Sequence, residues 1–600
     1  MKTRTTFILL VLCFAGQLQS QALSWVDQFG GTLEQVSYSL ATDAQGNVYT
    51  TGYFEGIVDF DPGAGIFNLT ATGKYDLFIT KVDASGQLVW AKRIGDDGPD
   101  GFAVGMAIII GPSGHVYVTG RFSGLTDFDP NAGEFNLVTV QFFESCPLDL
   151  DLFILKLTDA GDFVWVSQIG APDGNDIGTT IALGPNEEVY VAGHVASNSS
   201  ADVDFDPGTG IYLVDISPVG AVTFLLKLDS DGAFIWVDPF TSSCVSAFGC
   251  GAFRYNKVYI NGLTVDATGQ VFAAGSFSCN TDFDPSTVTL TVSPVGGQNS
   301  FILKLNASGG LEWVKQFGGN PNDANDIVLD GSGNIYTTGT FQKTVDFDPN
   351  ATTKNLKSFS NSNDIYVSKL NASGNYVWAV QMGGTGYDNG TSIDLDGSGN
   401  VYTTGSFSGN GDFNPATAKY TLKSAGGSDV FVSKLNTSGA FAWAVRWGGI
   451  SNDNSKSIDV DASNNVYNTG EFLATVDFDP GGGTLSLTSL GGKDVYLHKM
   501  TQTEFLAFSA EDIENTFAPE VNVFPNPAQE RVMIAFTHDT ESNYEITLLD
   551  MTGRLMTKYQ GIAHSGDNEH ELQLVNIPQG MYQILLITDD IRQMKILVVE

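Results

Sequence analysis

Apolar and polar residues alternate in short stretches along residues 23–500, and Asp, Asn, Ser and Gly separate these stretches. The alternating segments are rich in the β-branched and aromatic residues of strands, and the separating residues are those of tight turns. One unit shows the order clearly: an apolar segment at 392–396, "VYTTGSF" at 401–407, "DVFVSKL" at 429–435 and "AFAWAVRWG" at 440–448. The pattern predicts an all-β fold built from units of four short antiparallel strands.

Three phrases of this pattern each occur seven times. The second-strand phrase resembles "GNVYTTG" and lies at 46–52, 114–120, 187–193, 269–275, 333–339, 399–405 and 464–470. The third-strand phrase contains one lysine: Lys81, Lys156, Lys227, Lys304, Lys369, Lys434 or Lys499. The fourth-strand phrase contains one tryptophan: Trp25, Trp90, Trp165, Trp236, Trp313, Trp378 or Trp443. A repeat of tens of residues indicates a solenoid, a propeller or another array.

The two ends of the repeat region complement each other. The region begins with a lone fourth-strand phrase, "LSWVDQFG" at 23–30, and its last unit stops after the third strand, "DVYLHKM" at 494–500. The first phrase therefore supplies the strand that the last unit lacks, whereas an open solenoid would need polar caps at both ends. We predict that residues 21–500 form a seven-bladed β-propeller whose N-terminal strand closes the last blade.

An acidic phrase, DFDP or DFNP, follows the second strand of every unit, at 59–62, 127–130, 204–207, 282–285, 346–349, 412–415 and 477–480. Because strands alternate in direction, all seven phrases are expected to crowd one face of the disc. We expect the phenylalanine to point inward and the aspartates to cap turn amides, which makes the phrase a structural turn. Calcium binding by the clustered carboxylates is the alternative, and no other cofactor is predicted.

The third-strand lysines match the acidic phrases in number, with seven of each. A lysine inside an otherwise apolar strand needs a partner or an outlet to water. We therefore expect each of these lysines to pair with a DFDP aspartate of its own blade or of the adjacent blade.

The repeats differ in length in blades two to four. Extra residues occur at 141–150, 196–202 and 238–257, all in connections at the face of the acidic phrases. Insertions gathered on one face of a repeat protein commonly mark its binding face. The same connections contain Cys146, Cys244, Cys250 and Cys279. In an exported protein these are expected to form disulfides: Cys244 with Cys250, or either of them with Cys279, which leaves Cys146 unpaired.

The composition restricts the partners and the compartment. The formal net charge is −39, which repels nucleic acid and anionic lipid. Residues 1–20 have a basic start and an apolar run at 7–15 that is too short to span a membrane, so they are predicted to be a secretory signal peptide. No later apolar run has the length of a transmembrane helix. The mature chain is expected to be exported.

No catalytic constellation stands out in the sequence. The HExxH, GxSxG and P-loop patterns are absent, and His115, His194 and His498 are scattered over three blades within strand phrases. Carboxylate pairs of the kind that hydrolyse glycosides are too numerous in so acidic a chain to single one out. Whether the protein is an enzyme stays open, a non-enzymatic role is favoured, and no catalytic, cofactor-binding or metal-binding residue is assigned.

The repeats stop after Met500. Residues 501–518 are polar and acidic, as linkers are, and period-two alternation with Pro and Gly turns over 519–600 predicts a small β-sandwich. Four ordered phrases in this sandwich are PNP at 525–527, DMTGR at 550–554, GMY at 580–582 and KILVV at 595–599. These phrases resemble the type A C-terminal sorting domain of the type IX secretion system. The chain ends in Glu600 where that family often has a basic residue.

The resemblance implies a partner and a route. The family's domain is recognised by an outer-membrane translocon and is usually cleaved off, after which the cargo is released or anchored to surface lipopolysaccharide. The upstream phrases "GNVYTTGSF" and "DVFVSKLNTSGAFAWAV" resemble the SBBP-type β-propeller repeat family, which has no common activity. We therefore expect export through the periplasm to the cell surface or the medium, directed by residues 519–600.

Three functions are compatible with the sequence. The leading interpretation is a surface-displayed or secreted propeller that binds or adheres to a glycan or a protein through the face of blades two to four. The alternatives are a passive structural component of the envelope or matrix and a secreted hydrolase that acts on polysaccharides.

Overall fold

A computed structural model describes residues 19–599 apart from 97, 99–100, 140–148, 172–173, 198–201, 217–219, 249–252, 287, 482, 505–520, 551–554, 576 and 589–591. The chain divides into two compact units, one formed by Leu23–Thr501 and the other containing Gln502–Glu600. The described residues contain one short 3₁₀ helix, Phe359–Asn361, and otherwise only strands and turns, so the predicted all-β fold is confirmed. No helix among them has the length and apolar character to span a membrane. Residues 1–18 of the predicted signal peptide lie outside the described residues.

The first unit consists of antiparallel four-stranded groups, here called blades, of which the described residues form seven. Blades 1 to 3 consist of Gln35–Thr42, Val48–Phe54, Asp76–Val82 and Leu88–Asp96; Phe102–Ile110, Val116–Ser123, Asp151–Leu157 and Phe163–Ile169; and Ile177–Leu183, Val189–Ala196, Ala221–Leu228 and Phe234–Ser242. Blades 4 to 6 consist of Val258–Val265, Val271–Phe277, Asn299–Leu305 and Leu311–Gln316; Asn322–Leu329, Ile335–Gln342, Asn363–Leu370 and Tyr376–Gly384; and Asn389–Leu395, Val401–Asp412, Thr421–Leu435 and Phe441–Gly449.

Blade 7 takes its fourth strand from the beginning of the chain. Its strands lie in the order Asn454–Val460, Val466–Phe472, Asp494–Glu504 and Gln19–Gly31. The amide of Gln28 donates to the carbonyl of Thr488 at 3.0 Å and to the carboxylate of Asp494 at 2.5 Å, which ties the two ends of the repeat region together. The N-terminal strand therefore lies where the repeat pattern places it.

The first strands of successive blades contact one another, and the first strand of blade 7 contacts that of blade 1. At this last junction Ser37 Oγ donates to the carbonyl of Gly470 at 3.2 Å, and the Thr42 amide donates to Asp459 Oδ2 at 2.7 Å. The first strands thus surround the axis of the unit and the fourth strands lie at its rim. Apolar side chains fill the space between neighbouring blades, and each fully buried one contributes roughly 1.5–3 kcal/mol.

The connection between the second and third strands of each blade is a hairpin that contains the acidic phrase. In blades 1 to 5 and 7 the hairpin strands are Ile57–Asp59 and Asn68–Thr70, Leu125–Asp127 and Asn136–Val138, Val203–Asp204 and Leu213–Val214, Thr281–Asp282 and Thr291–Val292, Thr344–Asp346 and Asn355–Lys357, and Thr475–Asp477 and Ser486–Thr488. In blade 6 the long second and third strands include it. Within the described part of the chain, every hairpin except that of blade 3 also pairs with the end of the preceding blade's fourth strand; the blade 5 hairpin does so through the short strand Gly318–Gly319.

The acidic phrase acts as a structural turn, as predicted. Its first aspartate caps two amides in every blade; Asp59 Oδ1, for example, accepts from the amides of Asp61 at 3.0 Å and Phe67 at 2.8 Å. Its phenylalanine is at most 1% exposed in every blade: Phe60, Phe128, Phe205, Phe283, Phe347, Phe413 and Phe478. The phenylalanine anchors the hairpin in the core while the aspartates satisfy the turn.

The prediction that the acidic phrases crowd one face is wrong for the tips of the hairpins. Asp127 pairs with Gly95 and continues antiparallel to the fourth strand of blade 1, so the hairpin runs down the rim. Its tip reaches the turn at the opposite face, because Asn131 accepts from Lys92 Nζ at 2.7 Å and donates to Asp162 Oδ1 at 3.2 Å. Pairing with an otherwise open strand edge explains this direction.

The predicted pairing of the third-strand lysines with DFDP aspartates is also wrong. Each lysine ammonium lies 4.7–5.3 Å from the centroid of a second-strand aromatic ring. Five of them also pair with a carboxylate near the turns of the opposite face: Asp159, Glu188, Glu312, Asp330 and Asp396. Lys156 and Lys499 donate to the carbonyls of Ser230 and Ala84. In blades 1 to 6 the lysine is the last residue but one of its strand, and in every blade the acidic hairpin precedes the other end.

The second unit is a β-sandwich of two sheets, as predicted. Asn522–Phe524, Arg531–His538 and Gly566–Gln573 form one sheet, and Leu555–Ala563, Ser542–Asp550, Gly580–Ile587 and Arg592–Val599 form the other. Asn526, in the PNP phrase, donates to the carbonyl of Ile596 at 2.6 Å and accepts from the amide of Val598 at 2.8 Å. Its carboxamide thus acts as a strand partner for the edge strand of the second sheet.

Candidate functional site

The second strand of every blade ends in one repeated phrase with one changing position. The phrase is a glycine, the changing residue, and then phenylalanine or valine. A Cβ atom on the glycine would lie 1.8–2.0 Å from a carbonyl oxygen of the first strand, so no other residue fits there: Gly52, Gly120, Gly193, Gly275, Gly339, Gly405 and Gly470. The following Phe or Val is fully buried in each blade. Packing therefore fixes both neighbours of the changing position.

The changing residue lies at the end of the second strand, beside the connection to the third. Its identities are Tyr53, Arg121, His194, Ser276, Thr340, Ser406 and Glu471. The first strand carries a bulge at the same end in every blade, and the bulged residues are Tyr38, Met106, Thr179, Asn261, Asn325, Thr391 and Lys456. Because first strands surround the axis, these two sets together lie around the axis at this face, which we call the mouth. Four of the changing residues, Ser276, Thr340, Ser406 and Glu471, are buried there.

The bulged residues of blades 3 to 5 have a structural role. Thr179 Oγ1 donates to the carbonyl of Ile260 at 2.9 Å, Asn261 Nδ2 to that of Ala324 at 2.9 Å, and Asn325 Nδ2 to that of Gly390 at 2.7 Å. Each of these bonds joins the first strands of two successive blades. In blades 7 and 1 the corresponding Lys456 and Tyr38 belong to a different cluster.

Four aromatic rings follow one another across blades 1 and 2 at the mouth. The ring centroids of Tyr38 and Tyr53 are 6.2 Å apart, those of Tyr53 and Tyr75 are 4.7 Å apart, and those of Tyr75 and Phe102 are 5.3 Å apart. All four side chains are half-buried, so each keeps part of its surface in contact with solvent. We call these four residues the aromatic row.

Cations lie over three of these rings. Lys456 Nζ is 5.7 Å from the centroid of Tyr38, Lys74 Nζ is 5.0 Å from that of Tyr75, and the Arg121 guanidinium carbon is 5.1 Å from that of Phe102. Such contacts stabilise by about 0.5–1 kcal/mol each at exposed sites. Blade 7 supplies a carboxylate as well, since Glu471 pairs with Lys456 at 3.4 Å and with Lys493 at 3.7 Å.

The tyrosines of the row are hydrogen-bonding groups that stay neutral. Burial raises the pKa of Tyr38 above its usual value, Glu471 raises it further, and Arg121 opposes the shift. Burial likewise raises the pKa of Tyr53, with repulsion from Tyr38 and Glu34 adding to it. Both hydroxyls therefore remain protonated at neutral pH and can donate as well as accept hydrogen bonds.

The other side of the mouth, in blades 4 to 6, is lined by hydroxyl and amide groups. Gln298 Nε2 donates to Ser276 Oγ at 3.2 Å and also to Asp323. Asn325 Nδ2 donates to Asn389 Oδ1 at 3.0 Å, beside Thr340 and Ser406. The mouth therefore has an aromatic and charged side and a side of neutral polar groups.

The predicted insertions border the same face, and part of each lies outside the described residues. Residues 140–148 and 198–201 are not described, nor are Cys146 and Cys250. In blade 4, Val245–Phe248 and Phe253–Asn256 form a hairpin, and Cys244 forms a disulfide with Cys279 across a Cα separation of 6.1 Å. This is one of the pairings that the sequence leaves open. Blades two to four stay a prediction as the ligand-binding part.

The histidines of the strand phrases lie in different blades, and His115 Nδ1 is 2.5 Å from Ser113 Oγ and 3.9 Å from Glu187 Oε2. His498 is buried and stacks on Trp447 at 4.3 Å, and burial lowers its pKa to about 4. Burial also lowers the pKa of His194 to about 4. The described residues contain no group of three His, Cys, Asp or Glu side chains arranged to hold a metal ion, and calcium binding remains a prediction.

Two family models match parts of this chain. Residues 522–600 match the secretion system C-terminal sorting domain, and residues 312–340 and 377–414 match the beta-propeller repeat. Both resemblances drawn from the sequence are thereby confirmed. The first match indicates that type IX secretion exports this β-propeller repeat protein to the cell surface or the medium, through contact of the sorting domain with the secretion machinery.

Individual relatives are distant. The chain is 22% identical over 518 residues to the Uncharacterized WD repeat-containing protein L264 of Acanthamoeba polyphaga mimivirus, a match that covers 75% of this chain and 36% of that protein. A crystal structure of a protein of unknown function from Bacteroides caccae matches with 11% identity and a TM-score of 0.20, over 49% of this chain and 89% of that chain. Dimeric latent PorU from Porphyromonas gingivalis matches with 13% identity and a TM-score of 0.12, over 70% of this chain and 32% of that chain. Scores this low carry no argument about fold or function.

Sequence reasoning identified the face of the mouth and missed its residues. The signal that could have found them is the one changing letter between the glycine and the phenylalanine or valine of each second-strand phrase. The contribution of Tyr75 and Phe102 has no such signal, because it depends on how blade 1 packs on blade 2.

Proposed function

We propose that this protein is an exported β-propeller that binds an extracellular glycan or protein at the mouth. Its predicted route is a secretory signal peptide at 1–20, passage through the periplasm, and type IX secretion directed by the domain at 519–600. Binding of the ligand is the role of the propeller in residues 21–500, and 501–518 link the two parts.

The observation that supports this proposal is the contrast between constant and changing positions. Features that hold the blades together recur in all of them, as the capping aspartates and buried phenylalanines of the acidic phrase do. The residue after the second-strand glycine instead includes an aromatic, a guanidinium, an imidazole, hydroxyls and a carboxylate. Packing does not require this variety, whereas a single asymmetric ligand does, since binding sites are few per protein.

The test compares two triple variants of the full exported chain in a screen against glycans and surface proteins. Tyr53→Ser, Arg121→Thr and Lys456→Thr introduce residues that other blades have at the same positions, so folding should be retained. Ser276→Thr, Thr340→Ser and Ser406→Thr form the matched control on the other side of the mouth. We expect the first variant to lose a ligand that the wild type and the control retain. A ligand bound equally by all three proteins, or no ligand at all, would contradict the proposal.

A polysaccharide hydrolase is tested in the same screen. Product release by the wild type, abolished by substitution of one carboxylate, would establish catalysis in place of simple binding.

A further inference from the structure

The side chains at the mouth favour a glycan over a protein as the ligand. We propose that the aromatic row, together with Lys456 and Arg121, binds a neutral saccharide chain, while the buried Glu471 holds Lys456 in place. This inference rests on the proposed function and names the ligand class for the same site.

The aromatic row combines ring faces with hydrogen-bonding groups. A pyranose has a face of C–H groups that packs on an aromatic ring and a rim of hydroxyls that needs both donors and acceptors. The aromatic row provides four rings at successive separations of 6.2, 4.7 and 5.3 Å, each with a solvent-exposed portion. Three of the four rings, all except Phe102, bear a hydroxyl, and each hydroxyl can both donate and accept a hydrogen bond.

The changing position has no aliphatic side chain in any blade. Every one of its seven residues has a polar or aromatic side chain, and among the bulged residues only Met106 lacks a hydrogen-bonding group. The central residues of protein–protein interfaces form a desolvated patch that is depleted in charged residues, and such an interface takes about 800 Å² from each partner. A single circle of polar and aromatic residues around the axis suits a thin, hydroxyl-rich chain better than a second protein.

The charges around the aromatic row also favour a neutral ligand. The positive charges at the row are close to balanced by three carboxylates, which raise the pKa of its tyrosines or interact with its lysines. The cations are Lys74, Arg121, Lys456 and Lys493, and the carboxylates are Glu34, Glu55 and Glu471. The chain as a whole has a formal net charge of −39. Long-range repulsion therefore disfavours a polyanionic saccharide, and the charged groups serve as strong hydrogen-bond partners for hydroxyls.

The experiment uses the full exported chain and three probes: neutral oligosaccharides of glucose, mannose and xylose, a polyuronate, and a panel of peptides. Calorimetric titration measures each affinity at salt concentrations from about 0.05 to about 0.5 M. The affinity for an uncharged ligand should hardly change over this range. We expect at least one neutral oligosaccharide to bind, with less than about a twofold change over this range, and Tyr53→Ser to weaken it about tenfold.

Two further variants keep the test decisive. Tyr38→Thr removes a second ring and introduces the residue that blades 3 and 6 have at this position, which covers the case in which Tyr53→Ser disturbs the fold. Tyr212→Ser, which removes an exposed ring from the hairpin of blade 3 and not from the mouth, is the matched control and should retain wild-type affinity. Far-ultraviolet dichroism and the thermal midpoint of each variant verify folding.

The results separate this inference from the proposed function. The inference is overturned, and the proposed function stands, if the mouth binds a polyuronate with a steep salt dependence. Binding of a peptide through the mouth has the same meaning. A neutral oligosaccharide whose affinity is unchanged in Tyr53→Ser and Tyr38→Thr, while both remain folded, overturns both.

Discussion

A buried carboxyl at the junction of blades 7 and 1 is expected to control how stability depends on pH. Asp27 lies in the N-terminal strand, two residues after Trp25, and is 8% exposed. Its Oδ2 atom has no hydrogen-bond partner among the described residues. Burial, followed by repulsion from Asp83 and Asp61, raises its pKa from the ordinary value of 3.8 to about 8. The perturbation we propose is Asp27→Asn, which keeps the shape and removes the titrating group.

The sign and the size follow from proton linkage. Between pH 3.8 and about 8 the folded state keeps the Asp27 proton while the unfolded state releases it, so folding is favoured at low pH and stability falls as pH rises through this window. Each pH unit changes the free energy of unfolding by about 1.4 kcal/mol for one such group. Raising the pH from about 5 to about 7 should therefore cost about 3 kcal/mol through Asp27 alone. Asp27→Asn should be close to wild type at the lower pH and more stable at the higher one.

The assay is denaturant unfolding followed by tryptophan fluorescence at several pH values. All eight tryptophans lie between Trp25 and Trp447, so the signal reports on the first unit and not on the sandwich. Between about pH 5 and 7, the loss of unfolding free energy per pH unit should be smaller in Asp27→Asn than in the wild type by about 1.4 kcal/mol. Equal slopes in the two proteins would show that Asp27 is ionised in the folded state and would refute the reasoning.

Two comparisons make the result specific to burial. Asp238 has the corresponding position in blade 3, is also 8% exposed, and has a pKa raised to about 8 by burial and then by Asp284. Asp238→Asn should therefore repeat the effect. Asp231 is exposed in a turn of the same blade, so Asp231→Asn is the matched control and should leave the slope unchanged.

Three further predictions concern single structural features. Cys244→Ser with Cys279→Ser opens a loop of sequence separation 35 and should lower the free energy of unfolding by about 3–4 kcal/mol, an effect that reduction of the wild type should reproduce in denaturant unfolding. His498→Leu introduces the residue found at this position in blades 2 to 4 and should shift acid unfolding to lower pH. The pKa of His498 is about 4 in the folded state against 6.5 in the unfolded state, so the wild type loses stability as pH falls through that range. An unchanged acid midpoint would contradict this. Gly470→Ala should destabilise by about 3 kcal/mol or more, since its Cβ would lie 1.9 Å from the carbonyl oxygen of Asn454, whereas Gly397→Ala, with nothing within 4 Å of the new Cβ, should lower the thermal midpoint far less.

The fold was accessible from sequence because its determinants are local and repeated. The alternation of apolar and polar residues fixes the strands, and the turn residues fix where they end. The last repeat unit lacks a fourth strand, and the lone phrase containing Trp25 was predicted to supply it beside Asp494–Glu504. The structure places Gln19–Gly31 there. Seven copies of one pattern made each of these inferences more secure than a single copy would.

The errors have one physical origin. Matching the counts of lysines and DFDP phrases ignored where each residue stands along its strand. Lys434, for example, is next to the end of Thr421–Leu435, where Asp396 lies 3.3 Å away, and the acidic phrase of its blade precedes the other end. The direction of the hairpins escaped prediction for a related reason, since pairing with the preceding blade is a contact between distant parts of the chain. Alternation along one strand carries no information about either.

The aromatic row shows how closure and the proposed binding site depend on one another. Tyr38, Tyr53 and Tyr75 come from blade 1, whereas Lys456 and Glu471 come from blade 7, between 381 and 433 residues later. They meet because Ser37 donates to the carbonyl of Gly470 and because the N-terminal strand pairs both with Asp494–Glu504 and, through Gly30 and Asp59, with the first hairpin of blade 1. A repeat array that stayed open would keep every blade and every structural turn, yet it would separate the two halves of this cluster. The side of the mouth formed by Ser276, Thr340 and Ser406 lies within consecutive blades and does not depend on closure in this way. The ligand binding proposed at the row therefore depends on the joined ends of the chain, which no single repeat contains.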